Sequence, residues 1–316
     1  MKKLSQIFSR MYLAACVLSA VFAYLLIPDQ SINANRQITE IALVNPLQKV
    51  CIYCTKVMKH PDTFLDRYFS GSRSVEKCTT DSTGITGSAV CFTALFGTDK
   101  FGRDVFSRVI LGIRYTFTIA ISAVILSMII GLCLGGMAGY FGGKTDQAIS
   151  VMINIFWSLP TILLAFAVVM SFGRSLSSIF IAISLTMWGD VARLVRGLVM
   201  KSKEQIYVKA ARTLGYTHFK ILFREIIPNI MGPVWVNAAG NFALAVLLES
   251  GLSFLGFGLQ PPVPTLGNIR QEQYVYAITG KPMLALIPAI VVVLLILSFQ
   301  LLTNHLRESL DVRQTH

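Results

Sequence analysis

The sequence predicts an all-α, polytopic membrane protein, and three observations carry that prediction. The 316 residues are 54% hydrophobic and only 14% charged, with a mean hydropathy of +0.62, more apolar than a soluble domain of this length needs for its core. Several stretches approach or exceed the ~20 apolar residues that cross a hydrocarbon layer ~30 Å thick. Basic residues also gather in segments that would share one side of the membrane.

The stretches are Met11–Ile27, Thr116–Tyr140, Ala148–Phe172, Leu176–Val195, Ile230–Phe257 and Met283–Leu302. Six spans would place both termini on one side. Lys2, Lys3 and Arg10 precede the first, eight basic residues from Arg193 to Arg224 lie between the end of the fourth and the fifth, and Arg307 and Arg313 follow the sixth. The opposite short loops offer only Arg174, Arg270 and Lys281, so the termini are expected in the cytoplasm. The net charge of +12 is largely this topological signal, not a nucleic-acid footprint.

Lysines ahead of an apolar run also describe a signal peptide. No small-x-small cleavage site adjoins the run, since Ser31-Ile-Asn-Ala34 lies several residues beyond it, so a retained anchor is expected over residues 1–27.

Residues 28–96 contain no span and hold four of the six cysteines: Cys51, Cys54, Cys78 and Cys91. An extracytoplasmic segment with little core of its own gains from cross-links, and two disulfides are expected, with three pairings open. Cys51-Ile-Tyr-Cys54 also has the spacing of redox and zinc sites. The redox reading lacks a βαβ context, and zinc would need a second close pair, so no metal is expected. Cys16 and Cys133 fall within spans as packing residues.

Gly97-Thr-Asp-Lys-Phe-Gly-Arg-Asp-Val105 sets two glycines among alternating charges, a turn that would present Arg103 and Asp104 as a structural ion pair at the membrane face. In the second span Gly131, Gly135 and Gly139 recur every four residues, a small-residue face for close helix packing. Ala138-Gly-Tyr-Phe-Gly-Gly-Lys144-Thr145 imitates a phosphate-binding loop. It follows a membrane helix where such a loop needs a strand, so no ATP site is expected in this chain. Pro160 predicts a kink in the third span. Asp190 and Arg193 are spaced as an i,i+3 pair in the fourth.

Between the fourth and fifth spans, residues 203–229 are too polar to enter the bilayer yet strongly patterned. Ile206, Tyr207, Ala210, Ala211 and Leu214 fall on one helical face, Gly215 interrupts, and Phe219, Leu222, Phe223, Ile226 and Ile227 repeat the spacing up to Pro228. Two short amphipathic helices joined at a glycine are expected, either as a compact knob or lying on lipid headgroups. Polar Asn237, Asn241 and Glu249 interrupt the fifth span. Their cost at membrane depth suggests a bundle interior or translocation path, with Glu249 at a gate; alternatively Glu249 is solvated at the outer interface.

Three segments carry a resemblance. Ala210-Ala211, Gly215 and Ile226-Ile227-Pro228 resemble the Glu-Ala-Ala loop of permease subunits in binding-protein-dependent ABC importers. Gly97–Val105 resembles a signature of the dipeptide/oligopeptide permease family, as does Glu249-Ser-Gly-Leu-Ser-Phe-Leu-Gly256 followed by Gln260-Pro-Pro262. The resemblance runs from Gly97 to Arg313 and implies a MetI-like bundle with a cytoplasmic coupling helix pair. In that family the loop docks on the ATPase, which would assign coupling to Lys209, Ala210, Ala211, Leu214, Gly215, Ile226 and Pro228. Lys209 stands where the family has glutamate, reversing a charge at a contact position. The cysteine-bearing insert is longer than the family's usual segment.

The resemblance further implies a second permease, two ATPase subunits that bind ATP and magnesium, and an extracytoplasmic solute-binding protein, all at a bacterial cytoplasmic membrane. The chain itself would hold no cofactor and would not be an enzyme. Its cargo would be peptides, with nickel chelates, glutathione and cationic antimicrobial peptides as further classes. The alternative from another class is an ATP-independent channel or secondary transporter, which would show inverted repeats and several intramembrane ionisable groups.

Overall fold

The computed structural model describes residues 2–29, 31–58, 75–79 and 88–314, and most of them are helical. The chain divides into two compact units, one of Met1–Arg10, Ile119–Leu252 and Leu295–His316, the other of Met11–Thr118 and Ser253–Leu294. In chain order the elements are α1 (Lys2–Val21), α2 (Ala23–Leu26), β1 (Gln48–Met58), β2 (Val75–Thr79), β3 (Ser88–Ala94), α3 (Val105–Phe141), α4 (Gly143–Ser158) and α5 (Thr161–Phe172). There follow α6 (Leu176–Lys203), α7 (Ile206–Thr213), α8 (His218–Lys220), a π turn over Ile221–Ile226, α9 (Ile227–Phe254), α10 (Leu266–Ile278) and α11 (Pro282–Gln314).

Among the described residues four helical runs are long and apolar enough to cross a bilayer: Val105–Phe141, Leu176–Lys203, His218–Phe254 and Pro282–Ser309. They contain the expected second, fourth and sixth spans and the fifth as far as Phe254, three residues short of its expected end at Phe257. The third departs from expectation, because α4 and α5 meet at 93° rather than forming one kinked helix. Pro160 lacks an amide hydrogen and forces Leu159 into an extended conformation (φ −96°, ψ 137°), so the helix ends there. The first expected span is short as well: its apolar helix covers Gln6–Val21, and the chain turns at Phe22 before α2. Counting by length therefore gives four spans, or five if the bent pair is one.

In the first unit the glycine face of α3 packs as expected, with α6 as its partner. A Cβ on Gly131 would lie 2.5 Å from Val191, one on Gly135 2.3 Å from the Ala192 carbonyl, and one on Gly139 2.6 Å from the Arg196 carbonyl. The helices are thus in backbone contact along two turns. Ala138, Ile149, Ile153, Trp188 and Ala192 form a buried cluster beside this seam. Gly135→Ala should cost about 1–3 kcal/mol by overpacking. Gly136→Ala, whose Cβ would sit 3.7 Å from Leu222, should be neutral or gain up to ~1 kcal/mol in helix propensity. Thermal unfolding of the two purified variants checks the contrast, and equal shifts would contradict it.

Ion pairing in this unit differs from the sequence expectation. Arg193 does not turn to Asp190; it donates to Asn154 Oδ1 at 3.1 Å and lies 3.7 Å over the Trp157 ring. Trp157 in turn hydrogen-bonds Asp190. The bidentate pair is Arg196 with Asp146, its Nη2 contact at 2.7 Å. Asp146 lies at the start of α4, fifty residues away in sequence, which is why local spacing did not suggest it. The phosphate-loop imitation is the α3–α4 joint, where Gly142 and Gly143 take φ of +68° and +55° and no strand precedes the turn.

The second unit corrects the all-α expectation. The insert carries a three-stranded antiparallel sheet of order β2-β1-β3. Val50 and Ile52 are buried while Lys49 and Cys51 between and beside them are exposed, the period-two alternation of a half-buried strand. Val50, Ile52, Ile38, Ile41 and Ala94 make a small core. Cys51 and Cys91 face each other across β1 and β3 and are disulfide-bonded. A bond spanning 40 residues stabilises by about 4 kcal/mol in the chain-entropy account. Cys54 and Cys78 are Cα partners in the β1–β2 register, and their side chains lie outside the described residues. Cys16 is buried and unbridged, and Cys133 is unbridged but exposed, so only the first is a packing residue here.

Candidate functional site

The knob is built from α7 up to the π turn. Gln205, extended at ψ 152°, starts α7 without a side-chain cap. At the other end the Gly215 amide donates to Arg212 and the Tyr216 amide to Ala211, at 3.0 and 3.1 Å. That pair of bonds is a Schellman motif, and it requires the left-handed φ of +77° that Gly215 adopts. The helix therefore stops where the sequence predicts. Thr217 Oγ1 then accepts from the Lys220 amide to open α8.

The second half of the knob does not end at Pro228. Helix runs unbroken from His218 to Phe254. The π turn over Ile221–Ile226 widens the coil just before the proline, removing the i−4 clash that would have stopped an α-helix. Asn229 Nδ2 donates to the Glu225 carbonyl at 2.7 Å.

The expected apolar face of α7 exists, but it points outward. Ile206 and Leu214 are 84% and 74% exposed, and Lys209, Ala210 and Gly215 are exposed with them. Val208 and Ala211 face inward, and α7 packs on the π turn, whose Ile221, Leu222 and Ile226 are buried. Pro228 is exposed. The seven residues assigned to coupling thus separate into an outward set and the inward pair Ala211 and Ile226. A support missed by the sequence reading is Tyr140 at the end of α3. Its hydroxyl lies 3.0 Å from His218 Nδ1, its carbonyl accepts from Lys203 Nζ at 2.7 Å, and Arg212 lies 5.7 Å from its ring. Tyr140 ends an apolar span, so no sequence signal marked it.

On α9, Asn241 Nδ2 donates to Asn237 Oδ1 at 3.2 Å. Glu249 is 1% exposed, so it is enclosed by the protein rather than solvated. Asn237, Asn241 and Glu249 all lie on one helix, the first two in contact.

The Gly97–Val105 turn is held by charges other than the expected pair. Asp99 Oδ1 accepts from the Phe101 and Arg103 amides, and its Oδ2 from Arg103 Nε at 2.6 Å and Arg108 Nη1 at 3.0 Å. Glu272 Oε2 on α10 takes Arg103 Nη2 at 2.6 Å and Arg108 Nη1 at 2.8 Å. Arg103 and Arg108 are 2% and 0% exposed. Burial pushes the Glu272 carboxyl up, but Arg108 and then Arg103 outweigh it and hold the group below the usual range. Asp104 pairs with neither arginine; it caps α3 by accepting the Ser107 amide at 3.0 Å. Gly102, at φ +70°, admits the Ile38 carbonyl, which a Cβ would meet at 1.8 Å. Among the described residues no three His, Cys, Asp or Glu side chains are grouped to hold a metal.

Residues 131–312 match the family described as the binding-protein-dependent transport system inner membrane component. The chain belongs to that family. This permease is 37% identical over 216 residues to the dipeptide transport system permease protein DppC of Alkalihalophilus pseudofirmus, covering 68% of the chain and 71% of the relative. It is 34% identical over 216 residues to the oligopeptide transport system permease protein OppC of Bacillus subtilis (68% and 70% covered). It is 35% identical over 215 residues to the glutathione transport system permease protein GsiD of Pectobacterium atrosepticum (68% and 71% covered). The fold is similar to a solved inward-facing MetNI methionine ABC transporter chain, with TM-score 0.50, 20% identity, and 62% and 94% of the two chains covered. An amino acid ABC transporter structure gives TM-score 0.50 at 19% identity, covering 65% and 94%. The permease is thus a multi-pass membrane component of an ATP-driven importer, and the family is one of transporters that carry no cofactor and are not enzymes.

Proposed function

We propose that this permease moves peptides, as one of two homologous permease subunits joined to two ATPase subunits and an extracytoplasmic solute-binding protein in a bacterial cytoplasmic membrane. The observation that carries the reading is the outward apolar face of α7, Ile206 and Leu214 above all, on a helix whose end is locked by its Schellman turn. A patch like this at the tip of a membrane protein marks a docking surface. Lys209 and Ala210 lie on it, and Lys209 calls for an acidic or neutral contact on the ATPase. Gly215, Ala211, Ile226 and Pro228 shape the knob instead of touching the partner.

In this reading the chain crosses the membrane six times, with α1 and the bent α4–α5 pair each counted as one crossing and both termini cytoplasmic. Residues 1–27 form the anchor, 28–96 the extracytoplasmic insert and 97–316 the transport core. ATP and magnesium belong to the ATPase pair. Asn237, Asn241 and Glu249 border the path, and alternating access opens it to each side in turn. The names of the dipeptide and oligopeptide relatives support peptide cargo; that of the glutathione relative supports a small peptide.

Purification of the full-length chain in mild detergent, followed by mass spectrometry of its companions, tests the assembly. Recovery of a second permease and an ATPase pair is expected. Recovery of a homo-oligomer that conducts in liposomes without ATP would replace the reading with a channel.

A further inference from the structure

Beside the insert's small core is a cavity of about 80 Å³, large enough for several waters on a scale where one needs about 10–15 Å³. Ile38, Ile41 and Ile52 supply apolar wall, and Asp29, Arg36 and Asp104 supply charge. None of these six residues belongs to the coupling surface or to the polar face of α9.

The charges are unequally satisfied. Asp29 accepts the Ser31 amide on Oδ1 and the Arg36 amide on Oδ2, at 3.0 and 3.2 Å, and the Arg36 guanidinium lies 3.7 Å away. Asp104 uses only Oδ2, which takes both the amide and the hydroxyl of Ser107. Its Oδ1 is buried without a hydrogen-bond partner, in a residue only 5% exposed. A buried acceptor left bare is costly. Burial raises the Asp104 carboxyl against the lowering effect of the Ser107 hydroxyl and amide and of the Phe106 amide, and the Asp29 charge adds to the rise.

We propose that this cavity binds a primary ammonium group carried on a short aliphatic body. Two carboxylates against one guanidinium leave the cavity with a net negative charge, which favours a cation. Water can bond the charged wall of Asp29, Arg36 and Asp104 but gains nothing from the wall of three isoleucines, whereas an alkyl chain buries against it while its ammonium takes the charged side. The donor set is too small for a metal ion, because one of the two carboxylates is already engaged. An ammonium donates to Asp104 Oδ1 and leaves the helix cap on Oδ2 undisturbed.

The test uses the full-length permease, with whatever subunits accompany it, in lipid nanodiscs, and propylammonium chloride as the probe. Ligand-observed NMR with empty nanodiscs as the blank should show saturable binding, and neutral 1-propanol should fail to displace it. Asp104→Asn keeps the acceptor for the cap but removes the charge, and should weaken binding at least tenfold. No saturable signal, equal displacement by propanol, or unchanged binding in a folded Asp104→Asn protein would overturn the proposal. If that variant does not fold, the propanol comparison on the unaltered protein decides.

Discussion

Asp99→Ala is expected to destabilise the permease by about 3–5 kcal/mol, the range for removing one partner from a buried charge network. The carboxylate accepts two amides and two guanidinium contacts, and it is 2% exposed. Without it, Arg103 and Arg108 share the single charge of Glu272, which is itself 17% exposed. Glu272→Gln should cost less, because water reaches that position and Asp99 still neutralises part of the pair. Thermal unfolding and membrane yield compare the two, and an Asp99→Ala protein as stable as Glu272→Gln would disprove this ranking. Glu272 also sets a pH limit. Its folded-state value is lowered, so its contribution is complete above the ordinary glutamate pKa and fades only as pH falls through the lower folded value. The Glu272 contribution, measured as the stability difference between the unaltered protein and Glu272→Gln, should therefore stay constant between about pH 8 and 5.5.

Ala211→Asp should reduce uptake at least tenfold while leaving the chain in the membrane. The methyl is 6% exposed on the inward side of α7, where the helix rests on the π turn. A carboxylate there is either buried unpaired or pulls the helix away, and both outcomes displace the docking face. Thr213→Asp, on the exposed side of the same helix, is the control for charge alone. Uptake by reconstituted vesicles and an alkaline-wash test of insertion give the two readings. Full uptake by Ala211→Asp would remove the inward packing of α7 from the coupling reading.

Long-range features decided what could be read in advance. Spans with sustained apolar runs were legible because hydropathy depends on composition alone. The glycine face of α3 was legible because its period of four is a helical period, and the Gly215 stop because a left-handed cap selects glycine. The angle at Pro160 was not, since proline announces a break but the neighbours set its size. The sheet of the insert was missed although Lys49-Val-Cys-Ile52 alternates. The partner strand of that stretch lies 40 residues further on, Cys51 opposite Cys91, so no short hairpin turn marked the pair. Arg103 was singled out correctly and given the wrong partner: of its two carboxylates, Asp99 stands four residues before it in the same motif, and Glu272 lies 169 residues away where no local spacing points to it. Pro228 was taken for a stop because a π turn has no sequence signature as clear as a proline's.

The unbroken run from His218 has a mechanical consequence. At about 1.5 Å per residue, the 31 steps from His218 to Glu249 make a shaft about 45 Å long. Two interruptions of the regular ladder, the π turn over Ile221–Ile226 and Pro233 inside α9, both lie toward the His218 end of that shaft. Beyond Pro233 no further proline interrupts α9 before Glu249, so a rotation imposed on that segment turns the Glu249 carboxylate with it. Gating would then depend on angle rather than on stroke.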